Sequence, residues 1–289
     1  MEWNWRQSQK LKPIKRSKLR IYLGAKYYRL RRIIEWYTDE KKYVSTIDEN
    51  LYPYQIKQHQ TVLRRQLKDV DMWYQENKII NLKIAVKKLN GVVIKPGETF
   101  SYWKLIGRTT KRKGYTKGMV LHYGKFKPGV GGGLCQLSNL IYWNTLHTPL
   151  TVTERHRHSY DVFPDSKRTQ PFGSGATCSY NYLDLQIHNK TTNTFQLCLK
   201  LTDDYLVGEW RALNPEMKLY EVYEKEQKIT HEHWGHYVRH NMIYRKVFNG
   251  QNEQIDDEYI TENHALMMYN PLLEYDGDVN NPKSSNETG

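Results

Sequence analysis

Only three cysteines, Cys135, Cys178 and Cys198, occur in 289 residues, so no disulfide framework staples this chain. A sparse, odd set of this kind suits a reducing compartment. No stretch is long and apolar enough to span a bilayer, and the basic, aromatic N-terminus lacks the apolar run of a secretory signal. Read from Met1, the chain is expected to be cytoplasmic. Paired Cys-x-x-Cys and His-Glu-x-x-His spacings are missing, and no Gly-Lys-Ser/Thr closes a glycine-rich loop; these absences remove the strong zinc signatures and the Walker type of nucleotide site. Acidic residues are outnumbered: the net charge is +13 and the pI near 9.4, which calls for an anionic partner. Zinc-finger, RRM, KH and helix-turn-helix signatures are absent, so nucleic acid is not the partner expected. Apolar residues are scarce, at 38% with a mean hydropathy of −0.81, but 23 tyrosines and 8 tryptophans supply surface to bury. The length supports a real core, and no internal repeat is visible.

What the chain does have is Gly129-Val130-Gly131-Gly132-Gly133-Leu134-Cys135-Gln136-Leu137-Ser138-Asn139. Leu134, Leu137, Leu140 and Ile141 recur at helical spacing directly after the glycines, which predicts a loop running into a helix with Cys135 in its first turn. The partial positive charge at a helix start is expected to lower the thiol pKa. The alternative is that Cys135 is a small buried hydrophobe in a tight corner.

The remainder predicts an α+β fold with N-terminal helices, a central loop–helix–strand unit around the glycines and a C-terminal antiparallel sheet. After Pro13 a basic amphipathic helix pattern runs to Trp36, with tryptophans Trp3 and Trp5 before it. Segment 13–36 could lie on an anionic membrane surface or on nucleic acid, or pack its apolar stripe on the body and leave its lysines in solvent. Thr38 to Pro53 reads as a connection and Ile56 to Leu67 as a helix; a further helix ends at Asn90-Gly91, before a strand Val92-Val93-Ile94. The long connection from Gly107 to Gly133 is expected to hide a hairpin, with Met119–Tyr123 as one strand. Leu183 to Trp210 alternates as a three-stranded meander, which places Cys198 on a polar face with Gln196 and Lys200. More strands follow, with a turn at Asn249-Gly250, and the tail after Tyr275 is expected to be disordered. The expected boundaries are 1–50 for the basic N-terminal segment, 51–210 for the core domain, 211–275 for a β-rich extension and 276–289 for the tail.

Chemistry could reside in Cys135 with His156 or His158, whose alternation along a strand puts both imidazoles on one face. A cysteine-dependent peptidase, amidase or transpeptidase needs a thiolate, a histidine base and a polar group to orient it. Asp161 or Asp184 is the expected orienter, and backbone N–H groups near Gly133 and Gln136 are the expected oxyanion donors. The candidate substrate-binding residues are Gly131, Gly132, Gly133, Gln136, Ser138, Arg155 and Arg168. Two sets offer metal-ligand types: Cys135, His156 and His158, with His122 in reserve, and the cluster His231, His233 and His236. Neither has a zinc spacing, and no metal and no cofactor is expected. The competing class is a non-catalytic binding module that recognises an anionic precursor or a membrane surface.

The chain also resembles the VanW family. The resemblance is carried by Tyr74-Gln75-Glu76-Asn77-Lys78, by Asn81-Leu82-Lys83 through Leu89-Asn90-Gly91, by Ile94-Lys95-Pro96-Gly97-Glu98-Thr99-Phe100-Ser101, and by Gly131 to Asn139. Leu146-His147-Thr148-Pro149-Leu150, Glu154-Arg155-His156-Arg157-His158, Asp184-Leu185, and Asn189 with Thr191 complete it. It spans roughly Tyr74 to Leu201. The resemblance implies an association with glycopeptide resistance or peptidoglycan, with a cell-wall precursor or another anionic small molecule as partner. It carries no catalytic assignment with it.

Overall fold

A computed structural model describes residues 16–64, 71–122, 125–157, 159–162 and 170–271. The fold is α+β. Helix α1 (Lys18–Thr38) is followed by two strands, β1 (Lys42–Tyr43) and β2 (Tyr54–Val62), then by helix α2 (Trp73–Leu89), β3 (Val92–Ile94), β4 (Glu98–Ser101) and the short α3 (Tyr102–Ile106). The hairpin β5 (Lys117–His122) and β6 (Lys125–Val130) leads to helix α4 (Cys135–Thr145). After it come β7 (Thr151–Glu154), β8 (Tyr160–Asp161), β9 (Gln186–His188), β10 (Phe195–Leu201) and β11 (Tyr205–Ala212). Three long strands complete the described chain: β12 (Leu219–His231), β13 (Tyr237–Phe248) and β14 (Gln254–Met267).

The main sheet has the order β2-β11-β10-β3. Helices α2 and α4 lie against it and bury Leu82, Leu89, Leu137, Leu140 and Ile141 with Phe195, Leu197 and Trp210. Burying side chains of this size contributes roughly 1.5–3 kcal/mol each, which makes this layer the stable centre of the molecule. A second sheet, β1-β4-β9-β7, adjoins it, and the C-terminal sheet β12-β13-β14-β8 forms the third.

Several expectations hold. The N-terminal helix, the helix stop at Gly91 with φ +81, the β5–β6 hairpin, the helix at Cys135 and the C-terminal strands are all present. Others are corrected. The helix expected over Ile56 to Leu67 is not formed in its described part, because residues 54–62 run as a strand paired with β11; alternation of half-buried and exposed side chains along it outweighs the apolar spacing, and residues 65–67 lie outside the described residues. The meander is not formed either. Strands β10 and β11 make the expected hairpin, but β9 pairs with β4 and β7 in another sheet. Cys198 is buried, together with Gln196, since the face it shares is covered by the 48–52 segment: the Gln196 amide donates to the carbonyls of Asp48 and Asn50 and accepts from Tyr52 N–H. Trp3, Trp5 and the tail after Tyr275 lie outside the described residues.

Candidate functional site

The glycine loop is a corner pinned from within. Gly131 and Gly133 take φ values of +78° and +91°, which side-chain-bearing residues rarely adopt. A Cβ on Gly132 would lie 2.2 Å from the Gly118 backbone, and one on Gly133 would lie 2.3 Å from Lys78 Cγ. Asn81 Nδ2 donates to the Gly132 carbonyl at 2.9 Å, and the Tyr102 hydroxyl to that of Leu134 at 2.9 Å. The amides are engaged as well: Gly131 N–H donates to Thr116, Gly133 N–H to Met119 at 3.0 Å, and Gln136 N–H to Gly133 at 3.2 Å. The two amides expected to hold an oxyanion therefore already have acceptors inside the protein.

Cys135 opens α4, as its sequence predicts. Its thiol donates to the Cys178 carbonyl at 3.8 Å. Burial pushes its pKa up, and the bond to the Cys178 backbone offsets that only in part. The expected depression at a helix start is thus corrected, because desolvation of the thiolate of this half-buried residue outweighs the helix dipole. Burial drives Cys178 well above its ordinary value too, and the neighbouring Cys135 adds to this. Cys198, in the main sheet, is pushed up to about 11, first by burial and then by Glu209.

His156 lies just past β7. Its Nε2 and Glu154 Oε1 are 2.9 Å apart, and its carbonyl accepts from Thr177 N–H, beside Cys178. Glu154 is the hub: the same oxygen takes Arg32 Nη2 at 2.6 Å and Asp184 N–H at 3.1 Å. Burial opposes ionisation there, but the bonds from His156 and Arg32 bring the Glu154 carboxyl below its ordinary value. Asp184 is fully buried, accepting from Ser101 Oγ at 2.5 Å and from the N–H groups of Trp103 and Leu185. Burial raises its pKa to about 7. Asp161 is elsewhere, in the C-terminal sheet, where it accepts from the Tyr269 hydroxyl at 2.9 Å and faces Arg239. The carboxylate beside His156 is Glu154. Neither aspartate expected as orienter is bonded to it.

The other expected binding residues have structural partners. Gln136 Nε2 donates to Thr61 Oγ1 and the Val62 carbonyl, which ties α4 to β2. Ser138 Oγ donates to the Ala176 carbonyl at 2.7 Å. The Arg155 guanidinium donates to the carbonyls of Gly173 and Gly175 and to the side chains of Thr261 and Asn263, which joins the core to the C-terminal sheet. His158 and Arg168 lie outside the described residues.

An open cleft of about 460 Å³ lies between these layers, lined by Arg155, His156, Arg157, Ser159, Leu183, Thr261 and Glu262. Cys135 is not in its lining. Burial lowers the Arg157 pKa, with Glu262 acting against that, and Arg157 makes no hydrogen bond or ion pair with another described residue. Among the described residues no group of three or more His, Cys, Asp or Glu is placed to hold a metal ion. Sequence reasoning missed Glu154 and Arg157. The alternation used to pair the histidines also puts Glu154 on the His156 face, so that signal was present; the Arg32 contact comes from 122 residues away and left no local trace.

Residues 77–211 match the family model described as VanW like protein. The chain is 37% identical over 232 residues to the Vancomycin B-type resistance protein VanW of Enterococcus faecalis, covering 80% of this chain and 84% of that one. It is also 30% identical over 110 residues to the uncharacterized protein YoaR of Bacillus subtilis, covering 38% of this chain and 35% of that protein. No solved structure matches it. With a relative of that identity matched over most of both lengths, the chain belongs to the VanW family.

Proposed function

We propose that this chain acts in vancomycin-type glycopeptide resistance as a binding module, and that the cleft beside His156 takes the anionic group of a cell-wall precursor. The resistance context is drawn from the name of the enterococcal relative. The observation that carries the binding role is the cleft itself, where Arg157 has no hydrogen-bonded or ion-paired partner among the described residues and stands with His156 and Ser159 on one lining. A partly desolvated guanidinium that Glu262, on the same lining, reaches only through space can still gain charge-assisted hydrogen bonds from a carboxylate or phosphate. The thiol fits this reading as a structural group, since burial raises its pKa and the nearby loop amides have internal acceptors.

A second reading has one observation in its favour. The His156–Glu154 pair has the form of a base oriented by a carboxylate, which a cysteine-dependent hydrolase or transferase would use with Cys135. It requires the thiol to ionise readily and the loop amides to be released.

Titration calorimetry with an N-acetylated tripeptide bearing a free C-terminal carboxylate, its C-terminal amide and inorganic phosphate tests the proposal. The carboxylate peptide or phosphate should bind, the amide at least tenfold more weakly than the acid, and Arg157→Ala should lose about tenfold or more of the affinity. Binding that ignores both the carboxylate and Arg157, or no binding of either anion, would overturn it.

A further inference from the structure

Helix α1 is docked the wrong way round for a helix that stabilises a core. Its buried or half-buried positions are Gly24, Ala25, Arg29, Arg32, Glu35 and Trp36; Trp36 packs against the hydrophobic core, and the rest of the anchorage is largely polar. Arg29 Nε donates to the Tyr180 carbonyl at 2.9 Å, Asn181 Nδ2 donates back to the Arg29 carbonyl, and Arg32 bridges Glu35 and Glu154. On the opposite side Leu19, Leu23, Leu30, Ile34 and Tyr37 are 67%, 54%, 60%, 53% and 82% exposed. Steps of three, four and seven residues put them on one stripe at 100° per residue. Of the uses the sequence allows this helix, packing its apolar stripe on the body is the one the docking inverts.

The charges beside the stripe have one sign. Lys18, Arg20, Lys26 and Arg31 are exposed, while the only acid of the helix, Glu35, is turned inward and paired with Arg32. Lys26 lies within the stripe with its Nζ 4.7 Å from the centre of the Tyr22 ring, so its stem can cover apolar surface while its head reaches a polar layer. Tyr22, Tyr27 and Tyr37 are exposed on or beside the stripe, and tyrosine favours the boundary where one end is apolar and the other wet. Crossing the bilayer is not the use of this helix, since no helix among the described residues is long and apolar enough.

We propose that the outer face of α1 docks in the plane of an anionic phospholipid surface. Apolar side chains would enter the acyl boundary while the basic flank meets the headgroup phosphates. The polar contacts with the 180–182 loop and Glu154 hold the helix to the body with this face outward. The inference is independent of what the cleft binds.

Flotation of the full-length protein with liposomes tests it, using vesicles of 30 mol% phosphatidylglycerol in phosphatidylcholine and vesicles of phosphatidylcholine alone. Binding to the anionic vesicles should be at least tenfold stronger, and should weaken as salt is raised. The triple variant L23Q/L30Q/I34Q should lose at least tenfold of that binding and keep the thermal midpoint, because all three residues are exposed. Equal binding by the variant, equal binding to both lipids, or no vesicle binding would overturn the proposal. So would self-association of the free protein that the triple variant abolishes without any effect on lipid binding, since the face would then belong to a second copy of the chain.

Discussion

The Arg32 guanidinium and the Glu154 carboxylate meet at 2.6 Å across 122 residues of chain. The pair fastens α1 to the end of β7, and the same carboxylate oxygen contacts His156 and the Asp184 amide. The N-terminal helix and the wall of the cleft thus share one anchor. Arg32 and Glu154 side chains are 10% and 19% exposed, so removing one partner leaves a largely buried charge behind.

Arg32→Ala should therefore destabilise the protein by about 3 kcal/mol. Hydrogen exchange should locate the damage, with faster exchange along α1 before the main sheet is affected. Arg31→Ala, at the exposed neighbouring position, should change stability by no more than about 0.5 kcal/mol. Equal effects of the two substitutions would show that the anchor is unimportant.

Asp184 and Glu154 should give opposite pH signatures. Between about pH 4 and pH 7 the folded chain keeps a proton on Asp184 that the unfolded chain has released, because burial raises its pKa from 3.8 to about 7. Its contribution is complete at low pH and is lost as pH rises through that window, on the order of 4 kcal/mol over about three pKa units. Glu154 is shifted downward, so its contribution is present above its ordinary range and disappears as pH falls. Asp184→Asn should remove the loss on the alkaline side. Urea unfolding at pH 4.5 and pH 7.5 should show wild type falling relative to the variant at the higher pH; parallel values at both would contradict the assignment.

Gly133→Ala should destabilise by about 2–3 kcal/mol, through a positive φ and overpacking against Lys78. Lys78 has little freedom to yield, as its Nζ donates to the Leu63 carbonyl and Gln75 Oε1 at 2.6 Å each. Gly97 also has a positive φ, but a methyl group added there would meet nothing within 4 Å, so Gly97→Ala should cost less. Denaturation midpoints of the two variants check this comparison.

Local signals gave the elements that local physics decides. The helix stop at Gly91, the helix beginning at Cys135 and the hairpin before it follow from glycine placement and apolar spacing. Strand partners did not follow, because β9 looks by alternation like a neighbour of β10 and its pairing with β4 and β7 is decided by packing across the fold. The thiol was misjudged for a related reason. A helix start is visible in sequence, whereas the contact of the Cys135 thiol with the Cys178 carbonyl depends on a loop 43 residues later. The outward stripe of α1 was visible as amphipathicity, but its direction depended on Arg29 and Arg32 finding acceptors near residues 154 and 180–182.

The pH dependence of native-state alkylation, followed separately at each cysteine by mass spectrometry with iodoacetamide, bears most directly on the binding role. A half-buried structural thiol with a raised pKa predicts that Cys135 reacts more slowly than an unfolded control, with a rate midpoint above the free-cysteine value of about 8.5. Cys135 reacting faster than Cys178 and Cys198, with a midpoint well below that value, would contradict the account and restore the nucleophile.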